Sequence, residues 1–310
     1  MEDFLSQFDW TIYWFMFPVG IMVATSAMLS GIGGAAMFTP LFLIIFPLLG
    51  PDYPFPSIAA AIGVALFTET FGFSSGFVGY YRKKLIDFKS AIPFIAVGVP
   101  IAIVGAILLT QLKEYEDALR GAYALLMLVI AWEILKLHTP PPEISDDATE
   151  DPEGAADGSA RPIREVTDRT GRTYRYRQPR QGKGAAATGI GGFLTGLLGV
   201  GIGEVVMPQL VKRNHVPVPV AAATSVFIVI VVVASASFTQ ISALVAEGGM
   251  KAVPWNALVY MIPGVIIGGQ IGPWLQGRIA QRTMEKAIAY LFLVIGVAMG
   301  WIVVKNMMFG

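Results

Sequence analysis

Long apolar segments separated by short polar turns dominate the pattern of hydrophobic and polar positions along this chain. Each holds about 20 residues, the length at which a helix crosses about 30 Å of hydrocarbon. The segments are Thr11–Ser30, Ser57–Tyr80, Ala91–Leu112, Ala118–Leu137, Pro219–Val245, Trp255–Leu275 and Lys286–Val304. The pattern predicts an all-α polytopic membrane protein.

A glycine-rich signature interrupts the apolar pattern once in each half of the chain, at Gly31–Pro40 and at Gly199–Pro208. The apolar stretches beside the second copy, 184–198 and 205–211, are too short to cross the bilayer at about 1.5 Å per residue. Hydrocarbon tolerates broken backbone only where it is buried in protein or lines a cavity. The signatures therefore predict a broken or re-entrant helix pair in each half, and such duplicated breaks point to a transporter's binding site.

The two halves also match outside the signatures. Ala59–Val64 corresponds to Ala221–Val226, and Tyr123 corresponds to Tyr290. A small-xxx-small spacing, which lets helix backbones approach closely, recurs as well. Its members are Gly98, Ala102 and Ala106 in one half and Gly264, Gly268 and Gly272 in the other. The matching order predicts two inverted-topology repeats, each a short broken hairpin followed by about three full spans.

The repeats predict the division of the chain and its orientation. Residues 1–138 form the first repeat, 139–183 a charged linker and 184–310 the second repeat. With an odd number of segments in each half, nearly all of the 22 Lys and Arg residues fall on one side. The exceptions are Lys113, Arg120, Lys251 and Lys305. The positive-inside rule places the linker in the cytoplasm and the N-terminus in the periplasm, and no basic n-region precedes the first helix, which is expected to be retained.

The linker is acidic and proline-rich at first and basic afterwards, which is typical of a flexible segment of mixed charge. A second interpretation stays open for 164–177. Alternating Val166, Tyr174 and Tyr176 around Gly171 could close a small hairpin that docks on the membrane face.

Composition excludes several classes of function. Apolar residues make up 55% of the chain, charged residues 14%, and cysteine is absent, so disulfides and thiolate sites are excluded and nucleic acid is not an expected partner. His138 and His215 flank apolar segments, which makes a metal site improbable. Gly72–Gly76 fits a nucleophile elbow, but it lies in a predicted span without the strand and partners that such a motif needs. We expect no enzyme activity and no cofactor.

An anion is the expected ligand of the helix breaks. Glycines allow close backbone approach, and a restarting helix presents unpaired N–H groups and the positive end of its dipole. Two inverted copies would bring these ends to one midplane cavity. The predicted binding residues are Gly31, Gly33, Gly34, Gly199, Gly201, Gly203, Thr224 and Ser225. The alternative is that the glycines only tighten helix packing.

Two carboxylates lie within the predicted membrane region. Glu69 falls near the middle of its span, where an ionised acid costs about 2.5 to 3.5 kcal/mol to insert, and Glu204 lies inside the second signature. Each is a candidate for proton coupling, because protonation of a carboxyl removes the electrostatic penalty for an adjacent anion. The competing interpretation is that each is a neutral, hydrogen-bonded packing acid.

The paired signatures, together with Gly192–Gly199 and the downstream Ala223–Ser225, resemble those of the sulfite exporter TauE/SafE family, also called the toluene sulfonate uptake permease family. The resemblance covers nearly all the membrane region and omits the linker. It implies a bacterial inner-membrane carrier linked to sulfite, sulfonates and related anions. Glu204 stands where a small residue is common, and Ile62-Gly63 stands where the second half has Thr224-Ser225, so strict equivalence of the half-sites is in doubt.

The resulting hypothesis is a secondary transporter of small sulfur-containing anions, and the negative interior of the cell favours export. The sequence does not decide direction. Alternatives are proton-coupled uptake of another small anion, a passive anion channel, and a membrane scaffold whose linker recruits a partner.

Overall fold

Long helices make up most of the computed structural model, which describes residues 8–30, 33–51, 53, 55, 57–112, 114–136, 162–179, 182–275 and 281–309. Within these ranges, six helices are long and apolar enough to cross a membrane. They are α4 (Ile58–Arg82), α5 (Phe88–Gln111), α6 (Glu116–Lys136), α9 (Val218–Gly248), α10 (Trp255–Leu275) and α11 (Gln281–Phe309). This confirms the all-α polytopic membrane fold.

Short helices on either side of a break precede the long helices in the first half. Helix α1 (Met16–Ser30) is followed by α2 (Ala35–Pro40), a π-helical turn (Leu41–Ile45) and α3 (Phe46–Leu49). The prediction of a full span from Thr11 is wrong, because the side chain of Asp9 accepts both the N–H and the O–H of Thr11 and holds that segment in a turn. A helix of 15 residues is about 22 Å long, which is too short to cross alone.

The second half repeats this order. Helix α7 (Gly182–Leu198), a break, α8 (Ile202–Pro208) and a π-helical turn (Gln209–Arg213) come before its three long helices. In both halves the π-helical turn directly follows a proline, Pro40 or Pro208. Proline has no N–H to donate, which disturbs the regular hydrogen-bond ladder at that point.

The halves pack against each other reciprocally. Helix α1 of the first half packs on α10, and its counterpart α7 packs on α5. The counterparts α4 and α9 pack on each other, as do α6 and α11. The amide of Asn306, near the end of α11, donates to the carboxylate of Asp117 at the start of α6, so these two helices run antiparallel. The reciprocal packing supports the interpretation as inverted repeats.

Small residues set the distance between the helices that join the halves. A Cβ on Gly264 or Gly268 of α10 would lie 2.4 Å from a carbonyl oxygen of α1. On the other side of the molecule, a Cβ on Gly196 of α7 would lie 1.9 Å from the carbonyl oxygen of Ala102 in α5. The close backbone approach expected from the small-xxx-small spacing is confirmed at both contacts.

Part of the central linker forms a β-hairpin. Strands β1 (Ile163–Thr167) and β2 (Thr173–Arg177) are antiparallel, with Val166 opposite Tyr174. The hydroxyl of Tyr176 donates to Oδ2 of Asp87, in the α4–α5 connection, at 2.7 Å. The docked hairpin, rather than a flexible segment, is therefore the correct interpretation for these residues. Residues 139–161, 180 and 181 of the linker lie outside the described residues.

Acid should weaken this docking only below the usual titration range of aspartate. Burial favours a higher pKa for the Asp87 carboxyl, but hydrogen bonds from Ser90 and Tyr176 and the nearby Arg164 outweigh burial, and the pKa is lowered from 3.8. A group with a lowered pKa stabilises the folded state fully above its ordinary pKa, and that stabilisation is lost as the pH falls through the folded value. Docking should thus persist from pH 7 to about pH 5 and weaken only as the pH falls below the ordinary pKa of aspartate.

Double electron–electron resonance can measure this docking as a distance between two spin labels. The chain has no cysteine of its own, so labels attach only at introduced cysteines. Spin labels on Thr170→Cys in the hairpin and Lys136→Cys at the end of α6 should give one narrow distance distribution until acid broadens it. Adding Tyr176→Phe should move the broadening to higher pH. Broadening already complete at pH 5 in the otherwise unchanged protein would contradict the assignment.

Candidate functional site

The first helix break is capped by a carboxylate from a different helix. Glu69 lies in the middle of α4 and is 3% exposed. Its Oε1 accepts the backbone N–H of Gly34 at 3.0 Å, and its Oε2 accepts that of Ala35 at 3.1 Å. These are the first amides of the restarting helix, which have no intrahelical acceptor. Gly31 of the predicted binding set lies outside the described residues.

The second break is capped from within its own half. Gly199 and Gly201 have φ of 78° and 142°, a region that side chains disfavour. The amide of Ile202 donates to the hydroxyl of Thr195, 2.8 Å away, and that of Gly201 donates to Oε2 of Glu204, 3.0 Å away. The backbone thus turns through the break with two of its amides paired to side-chain oxygens.

The two breaks meet at Gly33. Oε1 of Glu204, from the second half, accepts the N–H of Gly33 at 3.1 Å. A Cβ placed on Gly33 would lie 3.0 Å from Oε1 of Glu69 and 3.6 Å from Oε1 of Glu204. From the opposite side, a Cβ on Gly199 would lie 3.8 Å from both the Cβ of Ala35 and the hydroxyl of Thr39. The structure therefore brings both predicted carboxylates and both glycine signatures together.

Backbone N–H groups at this meeting point face carboxylate oxygens. Gly33, Gly34 and Ala35 supply three consecutive donors, and all three are taken by Glu69 and Glu204. Consecutive amides at the start of a helix favour negatively charged oxygen. A cavity beside Glu69 and Gly34 has a volume of about 10 Å³, about what one water centre needs. In this conformation the chain's own carboxylates take the positions that oxygens of an anion would need.

The other predicted binding residues lie at different distances from this centre. Gly203 is buried in the first turn of α8. The hydroxyl of Ser225 donates to the carbonyl of Ala222 and lies 3.9 Å from the sulfur of Met207, which follows the second break. Thr224 lies at the linker-side end of α9, where its hydroxyl accepts the backbone N–H of Asp87 at 3.0 Å. Their role in binding stays a prediction.

Two further residues of the site were not predicted from the sequence. Thr195 is 1% exposed, and the signal for it is a hydroxyl in the last turn before a glycine break. Tyr123 of α6 is 2% exposed and donates its hydroxyl to the carbonyl of Ala36, just after the first break, at 2.9 Å. No local pattern marks Tyr123, because its partner is far away in sequence.

Removal of the Tyr123 hydroxyl should destabilise the protein modestly. Tyr123→Phe deletes a buried hydrogen bond and leaves the Ala36 carbonyl one partner short, which costs about 1 to 3 kcal/mol. Its counterpart Tyr290 is 59% exposed, so Tyr290→Phe is the matched control. Thermal unfolding in detergent should show a lower midpoint for Tyr123→Phe alone. Equal midpoints for the two variants would exclude the structural role of this hydroxyl.

A larger cavity, of about 180 Å³, lies between the start of α4 and the ends of α5 and α9. Gln240 forms part of its lining and is 2% exposed. The Gln240 amide donates to the carbonyl of Gly196 at 2.6 Å, in the last turn before the second break. The cavity therefore reaches a residue that contacts the broken hairpin of the second half.

Comparisons with known proteins agree with this architecture. The family model described as sulfite exporter TauE/SafE matches residues 16–299. The chain is 24% identical over 294 residues to the probable membrane transporter protein YjnA of Bacillus subtilis (strain 168), covering 90% of this chain and 96% of that protein. It is 25% identical over 281 residues to the probable membrane transporter protein YunE of the same strain, covering 90% and 93%. No solved structure matches significantly.

Proposed function

This chain belongs to the sulfite exporter TauE/SafE family, and from that membership we propose that it exports small sulfur-containing anions, such as sulfite or organosulfonates, across the bacterial inner membrane. Like the members of its family and its relatives, the protein is a multi-pass membrane transporter and not an enzyme. The substrate, the direction of transport and the membrane are parts of the proposal, as are a cytoplasmic linker and a periplasmic N-terminus.

One observation carries the proposal. Three consecutive backbone N–H groups, at Gly33, Gly34 and Ala35, converge on carboxyl oxygens where the two broken helices meet. The same donors suit the oxygens of sulfite or a sulfonate, because backbone amides at a helix start recognise negative charge without a cationic side chain. The glycines leave room for that approach, as a Cβ on Gly33 would already press on the Glu69 carboxylate.

Binding of an anion at these amides requires a carboxylate to give way. An anion and either carboxyl in its ionised form cannot share the three donors without strong repulsion in a medium of low dielectric constant. Protonation of Glu69 or Glu204, or rotation of either side chain, relieves this repulsion and frees donors. Glu204 is the better candidate to move, because it accepts one N–H from each half. A change at Glu204 therefore alters the contact between the repeats, which is the contact that alternating exposure must change.

The small volume at the site itself favours a carrier over a channel. The space beside Glu69 and Gly34 is about 10 Å³, whereas the cavity that ends at Gln240 is about 180 Å³. Among the described residues the site is thus nearly closed, with a larger recess on one side. Export down the electrical gradient gains about 2.3 kcal/mol per charge for each 100 mV, while uptake would need a coupled cation.

Flux into proteoliposomes tests the proposal. Radiolabelled sulfite, methanesulfonate and acetate are compared with and without a pH gradient, using protein-free liposomes and the exposed-acid variant Glu133→Gln as controls. We expect saturable flux of the sulfur anions, with acetate much slower and with a dependence on pH. Absence of flux for every sulfur anion would overturn the proposed function. Flux without any pH dependence would remove Glu69 and Glu204 as proton carriers.

A further inference from the structure

One face of the linker hairpin is packed against the membrane helices. Alternate residues of both strands are partly or fully buried, namely Arg164, Val166, Tyr174 and Tyr176. Glu165 and Arg175, which lie between them, are exposed. Val166 and Tyr174 pack against the buried core. On the outer face, Glu165 and Arg175 form an ion pair at 2.7 Å in which both side chains are more than half exposed. The hairpin therefore has a docking face and a solvent face.

Two hydrogen bonds attach the hairpin to the α4–α5 connection, one from the docking face and one from the turn between the strands. The hydroxyl of Tyr176, which is 7% exposed, donates to the carboxylate of Asp87 at 2.7 Å. The backbone N–H of Arg169 donates to the carbonyl of Lys83 at 3.1 Å. Ser90 donates its N–H and its hydroxyl to the same Asp87 carboxylate, so this carboxylate is held in place from two sides.

Asp87 also joins the two halves of the protein. Its backbone N–H donates to the hydroxyl of Thr224, which lies in the first turns of α9 and is 1% exposed. The hairpin, the α4–α5 connection and the start of α9 thus form one hydrogen-bonded assembly. This assembly holds the end of α4 beside the start of α9, across the boundary between the repeats.

The opposite ends of the same two helices are arranged differently. There, the start of α4 at Ser57 and the end of α9 near Glu247 line the cavity of about 180 Å³, which reaches Gln240. A recess therefore lies beside α4 and α9 at one end, whereas at the hairpin end the α4–α5 connection is hydrogen-bonded to α9. An alternating-access transporter opens one end of such a boundary at a time.

We propose that the linker hairpin is a latch, which holds the linker-side ends of α4 and α9 together and must undock for the site to open on that side. This proposal rests on the proposed transport by alternating exposure and deepens it by adding a control element. When the hairpin undocks, Asp87 loses its hydrogen bond from Tyr176. The bond from the Asp87 backbone N–H to the Thr224 hydroxyl then breaks as this side opens. The hairpin thereby sets how often the linker side opens.

A reversible disulfide tests the latch. Residues 83 and 169 are adjacent through their backbone hydrogen bond, and the chain has no cysteine of its own, so Lys83→Cys with Arg169→Cys can lock the hairpin in place. The control pair is Thr167→Cys with Thr173→Cys, which face each other within the hairpin with their oxygens 3.0 Å apart. Radiolabelled methanesulfonate is the transported probe, since sulfite cleaves disulfides.

The lock should reduce methanesulfonate flux at least tenfold, and a reductant should restore it, which also shows that the locked protein is folded. The control pair should leave flux unchanged in either redox state. Full flux through the locked protein would overturn the latch.

A second readout does not depend on transport. Ala221, at the latched end of α9, is fully buried, so an Ala221→Cys protein should react slowly with N-ethylmaleimide. Adding Tyr176→Phe should speed this reaction about tenfold, the change in equilibrium expected for loss of a hydrogen bond to a charged group. Tyr174→Phe, on the same strand and face, should not.

Equal labelling rates in the Tyr176→Phe and Tyr174→Phe proteins would overturn the latch even if flux is normal. If no anion is transported at all, the proposed function fails, and the labelling rates still decide whether the hairpin closes this end of the helix pair.

Discussion

Glu69→Ala should cost about 2 to 6 kcal/mol of stability and reduce anion flux to the background level. The substitution removes the acceptors of two buried amides, at Gly34 and Ala35, and each unsatisfied buried group costs about 1 to 3 kcal/mol. The restarting helix after the first break then has no cap, and the donors proposed to bind the anion lose their position. Thermal unfolding in detergent and liposome flux measure the two effects separately.

Glu69→Gln separates the two roles of this side chain. Glutamine keeps one acceptor oxygen, so the variant should fold with a smaller loss of stability, but it cannot exchange a proton. We expect its residual flux to depend less steeply on pH, because Glu204 is the one acid left at the site among the described residues. Glu133→Gln removes an acid from an exposed position of α6 and should match the parent protein. A Glu69→Ala protein with normal stability would show that the amides of the break find other partners.

Gly196→Ala should destabilise the protein by at least about 3 kcal/mol, or prevent folding. A Cβ at this position would lie 1.9 Å from the carbonyl oxygen of Ala102 and 2.7 Å from the amide nitrogen of Ala106. Both neighbours are backbone atoms of α5 and cannot rotate away, so the helices must separate. Overpacking of a tight interface typically costs about 1 to 3 kcal/mol, and more where the surroundings cannot relax.

Gly300→Ala is the matched control for this helix contact. Gly300 lies in α11, where an added Cβ would meet no other atom within 4 Å, so alanine should leave stability unchanged or raise it by up to about 1 kcal/mol through helix propensity. The yield of monodisperse protein and the unfolding midpoint compare the two variants. A Gly196→Ala protein as stable as the parent would mean that α7 and α5 are not packed as closely as described.

Hydropathy and glycine spacing were sufficient to predict most of the fold, because the bilayer restricts the chain to helices of a fixed length. The breaks at both signatures and the close contacts of the Gly264 series follow from hydropathy and glycine spacing alone. The length of the first segment did not, since Trp10 and Thr11 are as compatible with a helix as the residues after them. A local hydrogen bond from Thr11 to Asp9 decides where that segment turns.

The partners within the site could be predicted only in part. Sequence identifies Glu69 and Glu204 as costly acids in the membrane region, yet their pairing with Gly33 and Gly34 depends on the packing of α4 and on the meeting of the two breaks. Thr224 shows the same limit. Its neighbours in sequence suggested a ligand, while in the fold its hydroxyl accepts the Asp87 amide. Tyr123 and Thr195 contribute through tertiary contacts or a local cap that no periodicity reveals.

Glu204 accepts an amide from each half of the protein, whereas the position that matches it in the first half, counted back from Pro208 to Pro40, holds Ala36. Two copies of the first half would therefore assemble without this shared acid, and two copies of the second half would have two. At this contact the two halves therefore differ, and neither supplies what the other does. Exchange of halves between diverged relatives should then succeed only when the donor of the second half brings this glutamate with it.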